Sequence, residues 1–162
     1  MKKFALMAAV AVAALFAAPV SAHADWYAGA GYTQYEPDDG DSTGGVTGRL
    51  GYRINPNFAV EGEGTFGIDD GDDAELNSAI GVYGVGILPI GNSGFDVHGR
   101  VGYNQIDMNR SAAPDIDDGG LSYGAGVGWN ATQSLGIRAD FTRTETDDGD
   151  ADAISLGGAI NF

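Results

Sequence analysis

The chain has 162 residues, with 23 acidic and 8 basic side chains, a formal net charge of −15 at pH 7 and no cysteine. This acidity excludes a nucleic-acid binder, because too few basic groups are available to neutralise phosphates. The lack of cysteine excludes disulfides and a lipid-modified N-terminal cysteine, and the length leaves room for one domain.

Residues 1–24 have the pattern of a cleaved secretory signal peptide. Both lysines of the chain stand at its basic start, residues 4–18 are apolar, and Ala22-His23-Ala24 is a small-x-small cleavage motif. The apolar stretch is too short to form a membrane-spanning helix. We therefore expect residues 25–162 to form the mature domain, whose basic residues are all arginines.

Eight stretches of alternating apolar and polar or small residues follow the leader. In chain order they are residues 26–35, 44–54, 58–68, 76–88, 95–106, 120–130, 135–145 and 153–162. Two-residue periodicity over about ten residues is typical of transmembrane β-strands. The pattern predicts an all-β fold, an eight-stranded antiparallel up-and-down transmembrane β-barrel.

The connections between these stretches alternate in length and charge. Short, nearly uncharged turns at 55–57, 89–94 and 131–134 alternate with acidic loops at 36–43, 69–75, 107–119 and 146–152. Bacterial outer-membrane barrels have short periplasmic turns and longer extracellular loops. We therefore expect an integral outer-membrane protein of a Gram-negative bacterium, with extracellular loops and periplasmic termini.

The charged residues of the predicted strands share one face. The opposite face is apolar and must meet lipid, so the charged face lines the interior, unlike that of a soluble lipid-carrying barrel. An unpaired charge in so narrow a space would cost several kcal/mol, so these groups should pair and fill the barrel. The predicted lumen ion-pair network comprises Arg49, Arg53, Glu61, Glu63, Asp96, His98, Arg100, Arg138 and Asp140.

The first short turn determines the register of the second and third strands. We expect Ile54 and Phe58 to pair across it. Arg49 then lies opposite Glu63, and Glu61 lies on a diagonal between the two arginines of the neighbouring strand. Glycines recur within the strands, and those that face inward should make room for long side chains from adjacent strands.

His98, the one histidine after the leader, raises a catalytic alternative. Asp96 shares its face, and a serine such as Ser122 would complete a triad for acyl transfer or hydrolysis. No serine is placed convincingly beside His98, and the rim residues are mostly aspartates. We expect no catalytic residues and no enzymatic activity, with His98 a hydrogen-bonded histidine of the lumen.

Each acidic loop contains aspartates beside a glycine. Oxygen ligands suit Ca²⁺, but the loops lack the full spacing of a helix–loop–helix calcium motif, and Asp-Gly is common turn chemistry. We expect solvated loops and no cofactor. The alternative is weak Ca²⁺ binding, with divalent ions bridging the rim to lipopolysaccharide, at Asp38, Asp39, Asp41, Asp69, Asp70, Asp72, Asp117, Asp118, Asp147, Asp148 and Asp150.

Several motifs resemble the OmpA-like family of small outer-membrane barrels, those with the barrel alone and no peptidoglycan-binding domain. They are WYAGAGY at 26–32, GYR at 51–53, NFAVEGE at 57–63, RVGY at 100–103 and the terminal phenylalanine. The resemblance covers the whole mature chain. It implies a C-terminal signal, read by the barrel assembly machinery through strand pairing, at Ile154, Leu156, Ile160 and Phe162.

Members of that family range from structural anchors to adhesins and minor pores. We expect a structural protein that contributes to envelope integrity, a monomer in contact with outer-membrane lipid and lipopolysaccharide. The alternatives are a narrow porin-like channel for ions or small solutes, which needs the lumen ion pairs to open, and a surface adhesin acting through its loops.

Overall fold

Eight β-strands make up most of the chain that the structure, a computed structural model, describes: residues 26–37, 42–68, 74–110, 116–146 and 149–162. The strands are β1 Trp26–Pro37, β2 Thr43–Asn55, β3 Phe58–Gly67, β4 Ala74–Pro89, β5 Phe95–Arg110, β6 Ile116–Asn130, β7 Leu135–Thr146 and β8 Gly149–Asn161. Across these ranges, no helix is long and apolar enough to cross a membrane.

The strands form one closed antiparallel sheet. Each strand pairs with the next in sequence, and β1 pairs with β8 from Tyr27 opposite Asn161 to Pro37 opposite Ala151. A closed sheet has no free edge, so the strand backbones find their hydrogen-bond partners within the barrel. The predicted eight-stranded antiparallel barrel is confirmed.

The two ends of the barrel differ in their connections. The turn end, as we term it, carries residues 56–57, 90–94 and 131–134 together with Trp26 and Phe162. At the opposite end, the loop end, β1, β3, β5 and β7 finish. These terms are used below without reference to the sides of a membrane.

Strands near the loop end are longer than the sequence predicts. Asp117 and Asp118, expected in a loop, lie in β6 and pair with β5. Asp150, also expected in a loop, lies in β8 opposite Glu145. Backbone groups make the antiparallel ladder, so a strand continues beyond its apolar stretch wherever charged side chains reach water. Apolar periodicity therefore marks only part of each strand.

The turn between β2 and β3 differs from the prediction by one position. Asn55, and not Ile54, pairs with Phe58, and the register shifts between Arg53 and Asn55. The Asn55 side chain accepts a hydrogen bond from the backbone N–H of Asn57 at 2.9 Å, which favours a two-residue turn. The predicted pair of Ile54 and Phe58 is therefore wrong, although the shift restores the expected register farther along the strands.

The outward face of the barrel is apolar. Leucine, isoleucine, valine and phenylalanine side chains are exposed on the outer surface of β2 to β8, and Trp26 is exposed on β1, as a lipid-facing band requires. Two aromatic pairs lie on this face at the turn end. Trp26 packs against Tyr52 with ring centroids 5.0 Å apart, and Phe95 stacks on Trp129 at 5.9 Å.

Inward-facing glycines lie where large side chains cross the lumen. A Cβ atom on Gly51 would overlap the Tyr27 ring, and one on Gly126 would overlap His98 Nε2. These two glycines make the space that the larger side chains occupy, as expected in a narrow barrel.

Candidate functional site in the barrel interior

The lumen is closed near the loop end by an apolar cluster, which we term the apolar plug. Its members come from β1, β4, β5 and β8, so contacts within the cluster cross the barrel. All of them are buried, and water is therefore displaced from this level of the lumen. The apolar plug consists of Tyr35, Leu76, Ala79, Ile106, Ala151 and Ala153.

Sequence analysis missed the apolar plug because it treated the whole lumen as polar. Ile106 has the same parity along β5 as His98 and Arg100, so continued alternation could have shown that it faces inward. Leu76 gave no such signal. The pairing of β4 with β5 shifts between Leu76 and Ser78, and this shift breaks the alternation that would identify an inward side chain.

A layer of hydroxyl groups lies next to the plug. Thr47 shares hydrogen bonds with Thr33 at 2.6 Å and with Thr65 at 2.8 Å, and all three side chains are buried. On the other side of the barrel, Ser122 shares a hydrogen bond with Thr144 at 2.7 Å. Each hydroxyl can both donate and accept, so the layer satisfies itself without charge.

Charged groups follow the hydroxyl layer, beginning with Arg49. As the register of β2 and β3 requires, Arg49 lies opposite Glu63, and its Nε and Nη2 donate to Glu63 Oε2 at 2.9 and 2.6 Å. Across the lumen, Nη1 donates to Asp140 Oδ2 at 3.2 Å. One guanidinium thus links strands that are not neighbours in the sheet.

Arg138 and Arg100 extend this network. Arg138 donates to Asp140 Oδ1 at 2.7 Å and to Glu61, which is fully buried and also accepts a hydrogen bond from the Tyr27 hydroxyl. Arg100 Nη2 donates to Glu63 Oε2 at 3.0 Å, and its guanidinium lies 3.5 Å from the centre of a tyrosine ring. The carboxylates therefore share their donors, which compensates for their removal from water.

His98 lies between two carboxylates. Its Nδ1 is 3.1 Å from Asp96 Oδ1, and its Nε2 is 2.7 Å from Asp140 Oδ1. With both ring nitrogens engaged by carboxylates, neither can accept a proton from a nucleophile. Ser122, the serine of the catalytic alternative, instead bonds to Thr144 in the hydroxyl layer. The structure brings His98 and Asp96 together but does not bring Ser122 into a triad with them.

Arg53 departs from its predicted place in the network. Glu61, expected on the diagonal between Arg49 and Arg53, is held by Arg138 and lies 3.7 Å from Arg49. The Arg53 guanidinium lies 5.4 Å from the centre of the Tyr27 ring. Glu61 lies opposite Gly51, as the predicted register requires, but Arg138 reaches its carboxylate from the opposite side of the lumen.

Two small cavities lie between these side chains in the described part of the barrel. A cavity of about 20 Å³ lies beside Arg49 and Arg138. A second cavity of about 50 Å³, the turn-end cavity, is lined by polar groups that include Arg53, Asp96, His98, Asn130 and Asn161. Cavities of this size hold water molecules or a small ion.

Most of the predicted calcium ligands lie outside the described residues, namely Asp38, Asp39, Asp41, Asp69, Asp70, Asp72, Asp147 and Asp148. Within the described ranges, no three acidic, histidine or cysteine side chains gather as metal ligands would.

At the C-terminus, Ile154 and Leu156 are exposed on the outer face, whereas Ile160 is buried. The Phe162 N–H donates to the Trp26 carbonyl at 2.9 Å.

Comparison with known proteins agrees with this architecture. The family model described as "Outer membrane protein beta-barrel domain" matches residues 5–162. No curated protein matches the sequence. The N-terminal β-barrel domain of Pseudomonas aeruginosa OprF is similar in structure, with a TM-score of 0.68 at 11% identity over 86% of this chain and 98% of that one.

Two further solved structures are similar. OprG from Pseudomonas aeruginosa has a TM-score of 0.66 at 14% identity, covering 86% of this chain and 96% of that one. Ail, the attachment invasion locus protein of Yersinia pestis, has a TM-score of 0.62 at 19% identity, covering 87% and 100%. At these identities the likeness concerns the fold.

Proposed function

Because the chain belongs to the outer-membrane β-barrel family and is thus a barrel of the Gram-negative outer membrane, we propose that it serves there as a closed structural protein. In this role it contributes to envelope integrity by filling its place in the membrane with a rigid, sealed cylinder. It displays acidic loops and carries no cofactor. The proposal concerns a physical role and no chemical reaction.

The apolar plug, backed by the charged network, is the observation that carries this proposal. Leu76 and Ile106 belong to one buried apolar cluster with Tyr35, which stands on a strand across the lumen. Farther in, Arg49 and Arg138 connect carboxylates on opposite walls. An ion entering the lumen would have to cross an apolar level and then displace charge-assisted hydrogen bonds, which are the stronger kind.

Planar-bilayer recording tests closure. The wild-type barrel should show no steady single-channel current, whereas a porin reconstituted in the same way should conduct. A stable current would contradict closure and support the narrow channel. Arg138→Gln and Arg143→Gln would then locate the path, because Arg138 lies in the lumen and Arg143 pairs with Asp152 on the outer face. If the ions pass through the lumen, the current should change in Arg138→Gln and stay unchanged in Arg143→Gln.

Envelope integrity has its own test. A strain lacking this protein should become more sensitive to detergent and to large antibiotics, and the wild-type gene should restore resistance. Sensitivity that is unchanged by the deletion would remove the structural role while leaving the closed lumen intact.

The proposed orientation places the turn end in the periplasm and the loop end outside, as in other outer-membrane barrels. Removal of residues 1–24 would leave Asp25 as the first residue, directly before Trp26 in the sequence, and Trp26 lies at the turn end. Intact-mass analysis of protein from outer membranes should find this start. Retention of the leader would contradict the assignment.

An adhesin acting through the loops is the remaining candidate, since the fold is also that of Ail. Ail has been solved in complex with the heparin analogue sucrose octasulfate. A net charge of −15 opposes such a sulfated ligand here, and the outward-facing Arg143 is already paired with Asp152. The purified barrel should therefore pass through a heparin column at physiological salt. Retention would favour the adhesin.

Proposed partners follow from the membrane and the fold. The apolar band would contact outer-membrane lipid, and divalent ions would connect the acidic rim to lipopolysaccharide. The barrel assembly machinery would insert the chain, and the inserted barrel would be a monomer.

A further inference from the structure

Of the lumen arginines, Arg53 is the one without a carboxylate partner in the part of the chain that the structure describes. Arg49, Arg100 and Arg138 reach carboxylate oxygens at 2.6, 3.0 and 2.7 Å. Among the described residues, no carboxylate lies within ion-pair distance of Arg53. Its Nε is buried and has no hydrogen-bond partner in this part of the chain. The side chain is half-buried, and its unpaired Nε favours any acceptor that can reach it.

The charges around Arg53 do not balance. His98 directs both ring nitrogens at carboxylates, and both contacts are hydrogen bonds when both nitrogens carry protons and the ring is a cation. The lumen of the described residues then holds five cations against Glu61, Glu63, Asp96 and Asp140. Asp96 is the carboxylate in the turn-end cavity, and it is engaged by His98 and by Asn130 at 3.3 Å. The excess positive charge therefore resides at Arg53.

The turn-end cavity lies beside this excess charge. It measures about 50 Å³, and Arg53 contributes to its lining. This volume suits one small ion and is too small for a nucleotide, a sugar or a phosphate or sulfate ester. The guanidinium group binds anions through several N–H donors in a fixed fork.

We propose that the turn-end cavity binds a small monovalent anion, either chloride or a single carboxylate group, at the Arg53 guanidinium. The bound anion completes the pairing of the lumen arginines and neutralises the excess positive charge. Size excludes larger anions, so the site discriminates chloride and formate from gluconate.

Thermal stability in different anions tests the proposal. The mature protein in detergent is heated in sodium gluconate, chloride or formate at one ionic strength, and the folded fraction is read from its migration in unboiled gels. Chloride and formate should each raise the melting temperature by a few degrees in a saturable way. Chlorine-35 NMR should show excess line broadening that added formate removes. Comparison of the chloride and formate measurements distinguishes a site for a halide from a site for a carboxylate.

Two variants make the result specific. Arg53→Gln should abolish the anion dependence and the line broadening, whereas Arg143→Gln, on the outer face, should retain both. Equal stability of the wild type in all three anions overturns the proposal, as does the same dependence in Arg53→Gln. Asp25 directly precedes the described residues and offers the chain's own competing carboxylate. If the melting temperature of the wild type does not depend on the anion but that of Asp25→Asn does, Asp25 is the carboxylate that pairs with Arg53. That result would also overturn the proposal.

Discussion

Glu61 and Asp140 each have more than one donor. Glu61 accepts from Tyr27 and Arg138 and lies 3.7 Å from Arg49. Asp140 accepts from Arg49, Arg138 and His98. Because Arg138 serves both of these carboxylates, it is the arginine whose loss leaves the largest unmet charge. Arg49 has a substitute, since Arg100 also donates to Glu63.

Arg138→Ala should therefore lower the free energy of unfolding by about 3–5 kcal/mol, the usual cost of removing one partner from a buried ion pair. Arg49→Ala should cost less. Urea titration of the barrel in lipid vesicles measures both. The matched control is Arg143→Ala. Arg143 pairs with Asp152, and the two side chains are 36% and 29% exposed, so the loss of unfolding free energy should stay below about 1 kcal/mol.

A double-mutant cycle examines Arg49 directly. Arg49→Ala and Glu63→Ala should be coupled, because two hydrogen bonds join these side chains. A cycle between Arg53 and Glu61 should show little coupling. Coupling of Arg53 to Glu61 and none between Arg49 and Glu63 would contradict the observed arrangement of the network.

At the scale of strands, β4 contributes Leu76 and Ala79 to the apolar plug and other side chains to the lipid face. Leu76→Ala should cost about 2–5 kcal/mol, since the closed lumen cannot refill the space and a cavity remains. Ile80→Ala is the control on the same strand, because Ile80 is 66% exposed and lipid chains can occupy the vacated space. Its cost should be smaller. Equal losses in urea titrations would mean that the plug is not tightly packed.

The last strand carries the proposed assembly signal. Phe162→Ala should reduce the amount of folded barrel in outer membranes while changing the stability of refolded protein little, since Phe162 is 39% exposed and is not part of the buried core. Phe141→Ala, another exposed aromatic on the outer face, is the control. If both variants assemble equally well in cells, the terminal phenylalanine has no special role.

Sequence reasoning succeeded where alternation is unbroken. Beyond the shift between Arg53 and Asn55, which offsets the unexpected two-residue turn, it placed Arg49 opposite Glu63, because a two-residue period leaves few alternative registers. It failed at Leu76, where a register shift interrupts the period. It also failed at Arg53, because contacts across the lumen depend on side-chain length and direction. The pairing of Arg138 with Glu61 follows from the closed barrel and from no local pattern.

For the molecule as a whole, the acidic loops should respond to divalent ions if they hold Ca²⁺. Millimolar Ca²⁺ should then raise the melting temperature or protect the loops from protease more than sodium chloride at the same ionic strength. Solvated loops, which we favour, predict equal effects of the two salts, because screening alone relieves the repulsion. A larger effect of Ca²⁺ would contradict solvated loops.

The hydrogen bonds between β1 and β8 join the first strand of the barrel to the last. The barrel can therefore close only after the chain has been synthesised as far as β8. Such distant pairing also makes folding slow, since a long segment of chain must be ordered before the final contacts form. The pair of strands that seals the barrel is thus the pair that the chain completes last.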